Sequence, residues 1–108
     1  MADIVPYLER ICARLEQPEI KQAFQGFNKT LQFIFTDLQR NFTLSISEDG
    51  SPALSEQTVP QPDVKVTITS DTLAGILDRK VNPINAYITR KIKVTGKMDD
   101  LLRLQKLL

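Results

Sequence analysis

Two features bound the covalent chemistry open to this 108-residue chain: it has one cysteine, Cys12, and no histidine. Without an imidazole there is no Ser-His-Asp or Cys-His nucleophile system and no His-containing metal site. A lone cysteine allows neither an internal disulfide nor a Cys-rich zinc site. Cys12 falls in register with Ile4, Leu8, Ile11 and Leu15, and no basic residue shares that face at helical spacing. It reads as a packed small hydrophobe, not a nucleophile. The acidic pair Asp99-Asp100 opens a helical stretch, where carboxylates suit the positive end of the dipole. Glu48-Asp49-Gly50 has the composition of a hairpin turn. No GxxxxGK[ST] or GxGxxG loop is present to cradle a phosphate. No catalytic residue, metal site or cofactor is therefore expected, and the chain is read as a non-enzyme.

The remaining chemistry is charge and apolar surface. Residues 1–78 carry 6 Lys/Arg and 11 Asp/Glu, whereas residues 79–108 carry 8 and 2. The basic third suits an anionic surface, either lipid or nucleic acid. Nucleic acid is not expected, because the few aromatics do not interleave with basic residues as base-stacking platforms require. No apolar run approaches a membrane span. MADIVPYLER lacks a basic n-region followed by an apolar stretch. The expectation is one domain over residues 1–108, in the cytoplasm.

The elements that must position these groups follow from periodicity. Ile4, Leu8, Ile11, Cys12 and Leu15 mark a first helix with Asp3 as N-cap. Pro18 opens a second, running to about Gln25 and stopped by Gly26. Leu31, Phe33 and Phe35 alternate as a strand, as do Phe42, Leu44 and Ile46, with Gln39-Arg40-Asn41 between them. A weaker strand spans Ala53–Thr58, then Val59–Asp63 is a stiff, proline-bearing connector. Val64, Val66 and Ile68 form a fourth strand. Ser70 caps a helix carrying Leu73, Ile76 and Leu77, and Asn82-Pro83 starts another with Ile84, Tyr87 and Ile88 on one side. Ile92 and Val94 make a fifth strand ended by Gly96. In the tail, Leu101, Leu104 and Leu108 form a stripe with Leu102 and Leu107 beside it. This order predicts an α+β fold: a mixed, mostly antiparallel five-stranded sheet with helices on one face.

The segment from Val64 to Leu108 carries a further signal. It contains, in order, Thr67-Ile68-Thr69, Ser70-Asp71, Asn82-Pro83, Ala86-Tyr87, Lys91-Ile92-Lys93-Val94-Thr95-Gly96, Met98 and Arg103-Leu104-Gln105. This ordered set resembles the sterol carrier protein 2 (SCP-2) family of lipid-binding domains; the first 60 residues match only in the order of their elements. Two departures stand out. Thr89-Arg90-Lys91 takes the place of the family's frequent Gln-Gly-Lys, which puts the accepted head group in question. The end, Lys106-Leu107-Leu108, is not a peroxisomal Ser-Lys-Leu signal.

The resemblance implies an apolar tunnel between sheet and helices and a non-catalytic role in binding or transferring a hydrophobic ligand. Fatty acid, fatty acyl-CoA, phospholipid, sterol-like and isoprenoid lipids are the candidate classes. Phe33, Phe35, Ile68, Leu73, Ile76, Leu77, Ile84, Tyr87, Ile88, Leu101 and Leu104 are the residues placed to line such a tunnel, with Arg90 or Lys91 toward an anionic head. Patterning alone favours a solid core of the same residues; the resemblance favours a cavity. An empty cavity costs about 24 cal/mol per Å³, so the chain is expected to carry ligand, to collapse when empty, or to hold its last helix loosely. An anionic membrane surface is a second expected partner, through the basic rim. The alternative function is an accessory or scaffold protein of a lipid or quinone biosynthetic complex. The leucine-rich tail motivates it, and also the expectation of a homodimer.

Overall fold

The structure, a computed structural model, describes residues 4–107. Helix α1 (Val5–Leu15) and the short α2 (Pro18–Ala23) lead into strands β1 (Lys29–Phe35), β2 (Arg40–Ile46) and β3 (Pro52–Ser55). Then come β4 (Val64–Ile68), α3 (Ser70–Leu77), α4 (Pro83–Ile88), β5 (Ile92–Thr95) and α5 (Met98–Leu104). The five strands form one sheet in the order β3-β2-β1-β4-β5. β1 pairs in parallel with β4, and the other three pairings are antiparallel. The sheet and its helices are those the sequence predicts.

Alternation puts Leu31, Phe33 and Phe35 on the same face as Phe42, Leu44, Ile46, Val64, Val66 and Ile68, and all nine are buried. Register aligns Phe33 with Phe42 on one side and Val66 on the other. The Phe35 ring stacks 6.3 Å from Phe33 and meets Phe42 edge-on at 5.9 Å. Leu8, Ile11 and Leu15 of α1 and Leu73, Ile76 and Leu77 of α3 close this face in one hydrophobic cluster. The opposite face is crossed by the segment joining β3 to β4. There the Thr43 hydroxyl donates to Gln57 O at 2.8 Å, and the Val59 amide reaches Gln32 Oε1 at 3.5 Å.

Local boundaries differ from the periodic reading, each for a tertiary reason. The third strand stops at Ser55 and not Thr58, because the chain leaves the edge to cross the sheet. Arg40 and Asn41 belong to β2, and the preceding turn closes through Gln39 at φ +52°. α2 ends at Ala23, with Phe24 as C-cap. Thr69, not Ser70, caps α3: its Oγ1 accepts from the Thr72 amide at 3.2 Å. The Ser70 hydroxyl is committed elsewhere, donating to the Asp37 carboxylate 33 residues away. At the N-cap position of α1 stands Ile4; Asp3 and Leu108 lie outside the described residues.

One polar contact ties the last helix to the sheet. Asp100, in the first turn of α5, accepts from Lys29 Nζ on both oxygens, at 2.7 and 2.8 Å, and its side chain is only 6% exposed. The carboxylate thus does more than face the helix dipole. Gly96 lets α5 start close by: a Cβ there would lie 3.1 Å from Asp63 O and 3.2 Å from Val64 Cγ2.

Candidate functional site: an apolar groove between α4, β5 and α5

The open apolar surface comes from short elements that cannot bury it. α4 has six residues, capped by Asn82, whose Oδ1 accepts from the Ile84 amide at 2.8 Å. Only Ala86 of this helix is buried, so Ile84, Tyr87 and Ile88 stand 51%, 56% and 69% exposed. α5 buries Asp100 and Leu104 and leaves Met98 and Leu102 outside. These five are the exposed large apolar residues among those described, and they flank one place in the fold.

That place is a groove of about 230 Å³ at the β5 end of the sheet. Pro83, Ile84 and Tyr87 form one wall and Ile92 and Val94 the floor; Met98, Leu101, Leu102, Leu104 and Gln105 form the other wall. Apart from the Tyr87 hydroxyl and Gln105, every lining side chain is apolar. Tyr87, Ile92 and Val94 continue into a neighbouring depression that Ile88, Arg90 and Lys93 complete. Lys93 and its chain neighbours Lys91 and Lys97 are exposed. No ion pair of Arg90 or of these lysines is present among the described residues.

The proposed lining residues divide by location. Ile84, Tyr87, Leu101 and Leu104 meet in the groove; Ile88 and Arg90 lie in the adjoining depression. Phe33, Phe35, Ile68, Leu73, Ile76 and Leu77 do not reach it. They are at most 8% exposed and belong to the hydrophobic cluster between the sheet and the helices. Pro83, Ile92, Val94, Met98, Leu102 and Gln105 complete the lining beyond the residues the sequence points to. The signal for three of them lies in the sequence: Met98, Leu101, Leu102 and Gln105 follow i, i+3, i+4, i+7. The leucine stripe read through Leu104 crosses from this face to the buried one.

Cys12 is half-buried against the core; burial, followed by the Glu16 and Glu9 carboxylates, pushes its thiol up. That is the opposite of what a nucleophile needs. Among the described residues no cluster of metal-ligating side chains is found, and no helix is long and apolar enough to cross a membrane.

A model of the SCP-2 sterol transfer family matches residues 8–108. The chain belongs to that family. Membership supports lipid binding as the function of this SCP-2 domain. No curated protein matches it. Among solved structures, the SCP-2-like protein 2 of Aedes aegypti superposes with a TM-score of 0.75 at 17% identity, covering 95% of this chain and 94% of that one. A ubiquinone synthesis protein, UbiJ-SCP2, gives 0.66 at 16% identity, with 86% and 80% covered. At these identities the likeness is one of fold. The inverting sec-alkylsulfatase Pisa1 from Pseudomonas sp. gives 0.69 at 27% identity over 82% of this chain. The SCP-2 chain spans only 14% of that enzyme's length.

Proposed function

We propose that this SCP-2 domain is a non-catalytic carrier that holds the apolar part of a lipid in the groove between α4, β5 and α5. The ligand classes are fatty acid, fatty acyl-CoA, phospholipid, sterol-like and isoprenoid lipids. The observation that supports this reading most is the gathering of Ile84, Tyr87, Ile88, Met98 and Leu102 around one groove and its adjoining depression. Surface of that kind is uncommon on a protein with no occupant for it. The mechanism is burial: each methylene removed from water contributes about 0.8 kcal/mol. Bound ligand would also raise the protein's stability by mass action. Lys91, Lys93 and Lys97 would bring the groove to an anionic lipid surface, at about 1 kcal/mol per charge.

A second reading uses the same surface differently. Met98 at 68% exposure and Leu102 at 56% could be covered by another protein, the SCP-2 domain then serving as an accessory or scaffold in a lipid or quinone biosynthetic complex. Mass spectrometry on freshly purified protein, native and after organic extraction, separates the two. The carrier reading expects a defined lipid at near one per chain, or one-to-one loading by added fatty acid. A folded protein that stays empty and refuses fatty acid and acyl-CoA would overturn it and favour the accessory role.

A further inference from the structure

We infer that Arg90 is a specificity-determining residue of the groove, selecting an amphiphile with an anionic head over a neutral one of the same chain length. This rests on the carrier reading above. The inference starts from the backbone. Arg90 stands just beyond the end of α4 at φ +64°, the left-handed region that favours glycine. Its amide donates to Tyr87 O at 3.2 Å and the next amide, of Lys91, donates to Ala86 O at 2.8 Å. These are the paired bonds of a Schellman helix end, where glycine is the usual residue. The fold therefore holds a large cationic side chain at a position whose geometry disfavours one.

The side chain's surroundings give the second observation. Arg90 lines the depression together with Lys93, Tyr87, Ile92 and Val94, and the last three are themselves walls and floor of the apolar groove. No side-chain hydrogen bond or ion pair of Arg90 is present among the described residues, so the five donors of its guanidinium remain available. An unpaired guanidinium beside an apolar trough matches a carboxylate or phosphate carried on an alkyl tail, and its planar fork suits either group.

The molecule contains its own control. α3 ends in the same way: Arg79 lies at φ +62°, its amide donates to Ile76 O at 3.1 Å, and the Lys80 amide donates to Gly75 O at 2.8 Å. Even the local sequence repeats, Arg79-Lys80 against Arg90-Lys91. Arg79 lines neither the groove nor the depression. Backbone strain and helix-end geometry are thus shared by the two arginines, and of the two only Arg90 lines the depression beside the groove.

The experiment compares Arg90→Gly, Arg79→Gly and Arg90→Lys with the parent protein. Each is titrated with a sixteen-carbon fatty acid at alkaline pH and with the fatty alcohol of the same length. Parent protein should prefer the acid by about tenfold, the size of one charge-assisted hydrogen bond. Arg90→Gly should lose most of that preference while binding the alcohol as before; Arg79→Gly should keep it, and Arg90→Lys should keep part. Both glycine variants should melt no lower than the parent, since glycine fits the left-handed position. Inorganic phosphate alone should not displace the fatty acid. An Arg90→Gly protein that keeps the preference would overturn the inference and leave the carrier reading standing. So would an equal loss in Arg79→Gly, which would make the preference a general field effect, or displacement by inorganic phosphate, which would mark a free-anion site. Failure of the parent to bind either amphiphile would remove the carrier reading, and the inference with it.

Discussion

The α4–β5–α5 corner and the central sheet are built from the same kinds of residue, yet one is open and the other closed. β1, β2 and β4 have seven, seven and five residues, and α1 and α3 have eleven and eight. Their apolar faces are long enough to cover each other, and Phe33, Leu31 and Leu73 lose all solvent contact. In the corner, β5 has four residues and α4 six. Elements that short bury one or two side chains each and leave the others facing out. Length of element, not type of residue, separates core from groove here.

The sharpest way to break this comparison is a truncation in the closed region. Phe33→Ala removes a ring at 0% exposure that packs on Phe35, and should cost about 3–5 kcal/mol in a denaturant melt. If stability barely changed, the closed region would not be the core described. The junction between the two regions comes next. Lys29→Met leaves the Asp100 carboxylate buried without its cation, and should cost about 2 kcal/mol, tempered because Lys29 is partly exposed. Replacing both partners, Lys29→Met with Asp100→Leu, should recover part of that loss. If both proteins were equally unstable, the ion pair would not be what ties α5 to the sheet.

Acid should act unevenly as well. The Ser47 hydroxyl and then the Ser51 amide hold Asp49 down to about 2. Asp78 lies below the usual carboxylate range through Arg10 first and Tyr7 next, Glu56 through Arg40, and Asp37 through the Ser70 hydroxyl. For a carboxyl whose folded pKa is depressed, the stabilisation is present above the unfolded value, about 4, and is lost as pH falls through the folded value. Stability should therefore decline below about pH 4, with Asp49 titrating last, near 2. All four carboxylates lie outside the corner, so side-chain resonances of the closed region should report the change. Carboxyl resonances of Asp49 titrating near 4 would contradict it. The smallest expected effect is that of Leu102→Ala: within about 0.5 kcal/mol in stability, as for an exposed residue, with lipid affinity reduced. A loss of several kcal/mol would place Leu102 in the core.

Period-two alternation made β1, β2 and β4 readable in the sequence, and helical spacing did the same for α1 and α3. Those patterns state which face of an element is apolar. They do not state whether another surface exists to cover it. Leu73, Ile76 and Leu77 therefore carry the same signal as Ile84 and Tyr87, although the former are buried and the latter exposed. The boundary errors have a related origin. Ser70 is as good a cap as Thr69 until Asp37, from a distant turn, takes its hydroxyl. The Lys29–Asp100 pair spans 71 residues and leaves no local mark. Arg90 was visible as a departure from the family's glycine, but its left-handed backbone and its place beside the groove required the fold.

The central claim, that lipid binds in the corner and not in the core, is tested most directly by methyl NMR during titration with a fatty acid. Methyl resonances of Ile84, Ile92, Leu101 and Leu102 should shift in step with ligand, while those of Leu31, Leu44 and Leu73 hold still. Shifts concentrated on Leu31, Leu44 and Leu73, with Ile84 and Leu102 unmoved, would contradict the claim and put the ligand between the sheet and α1.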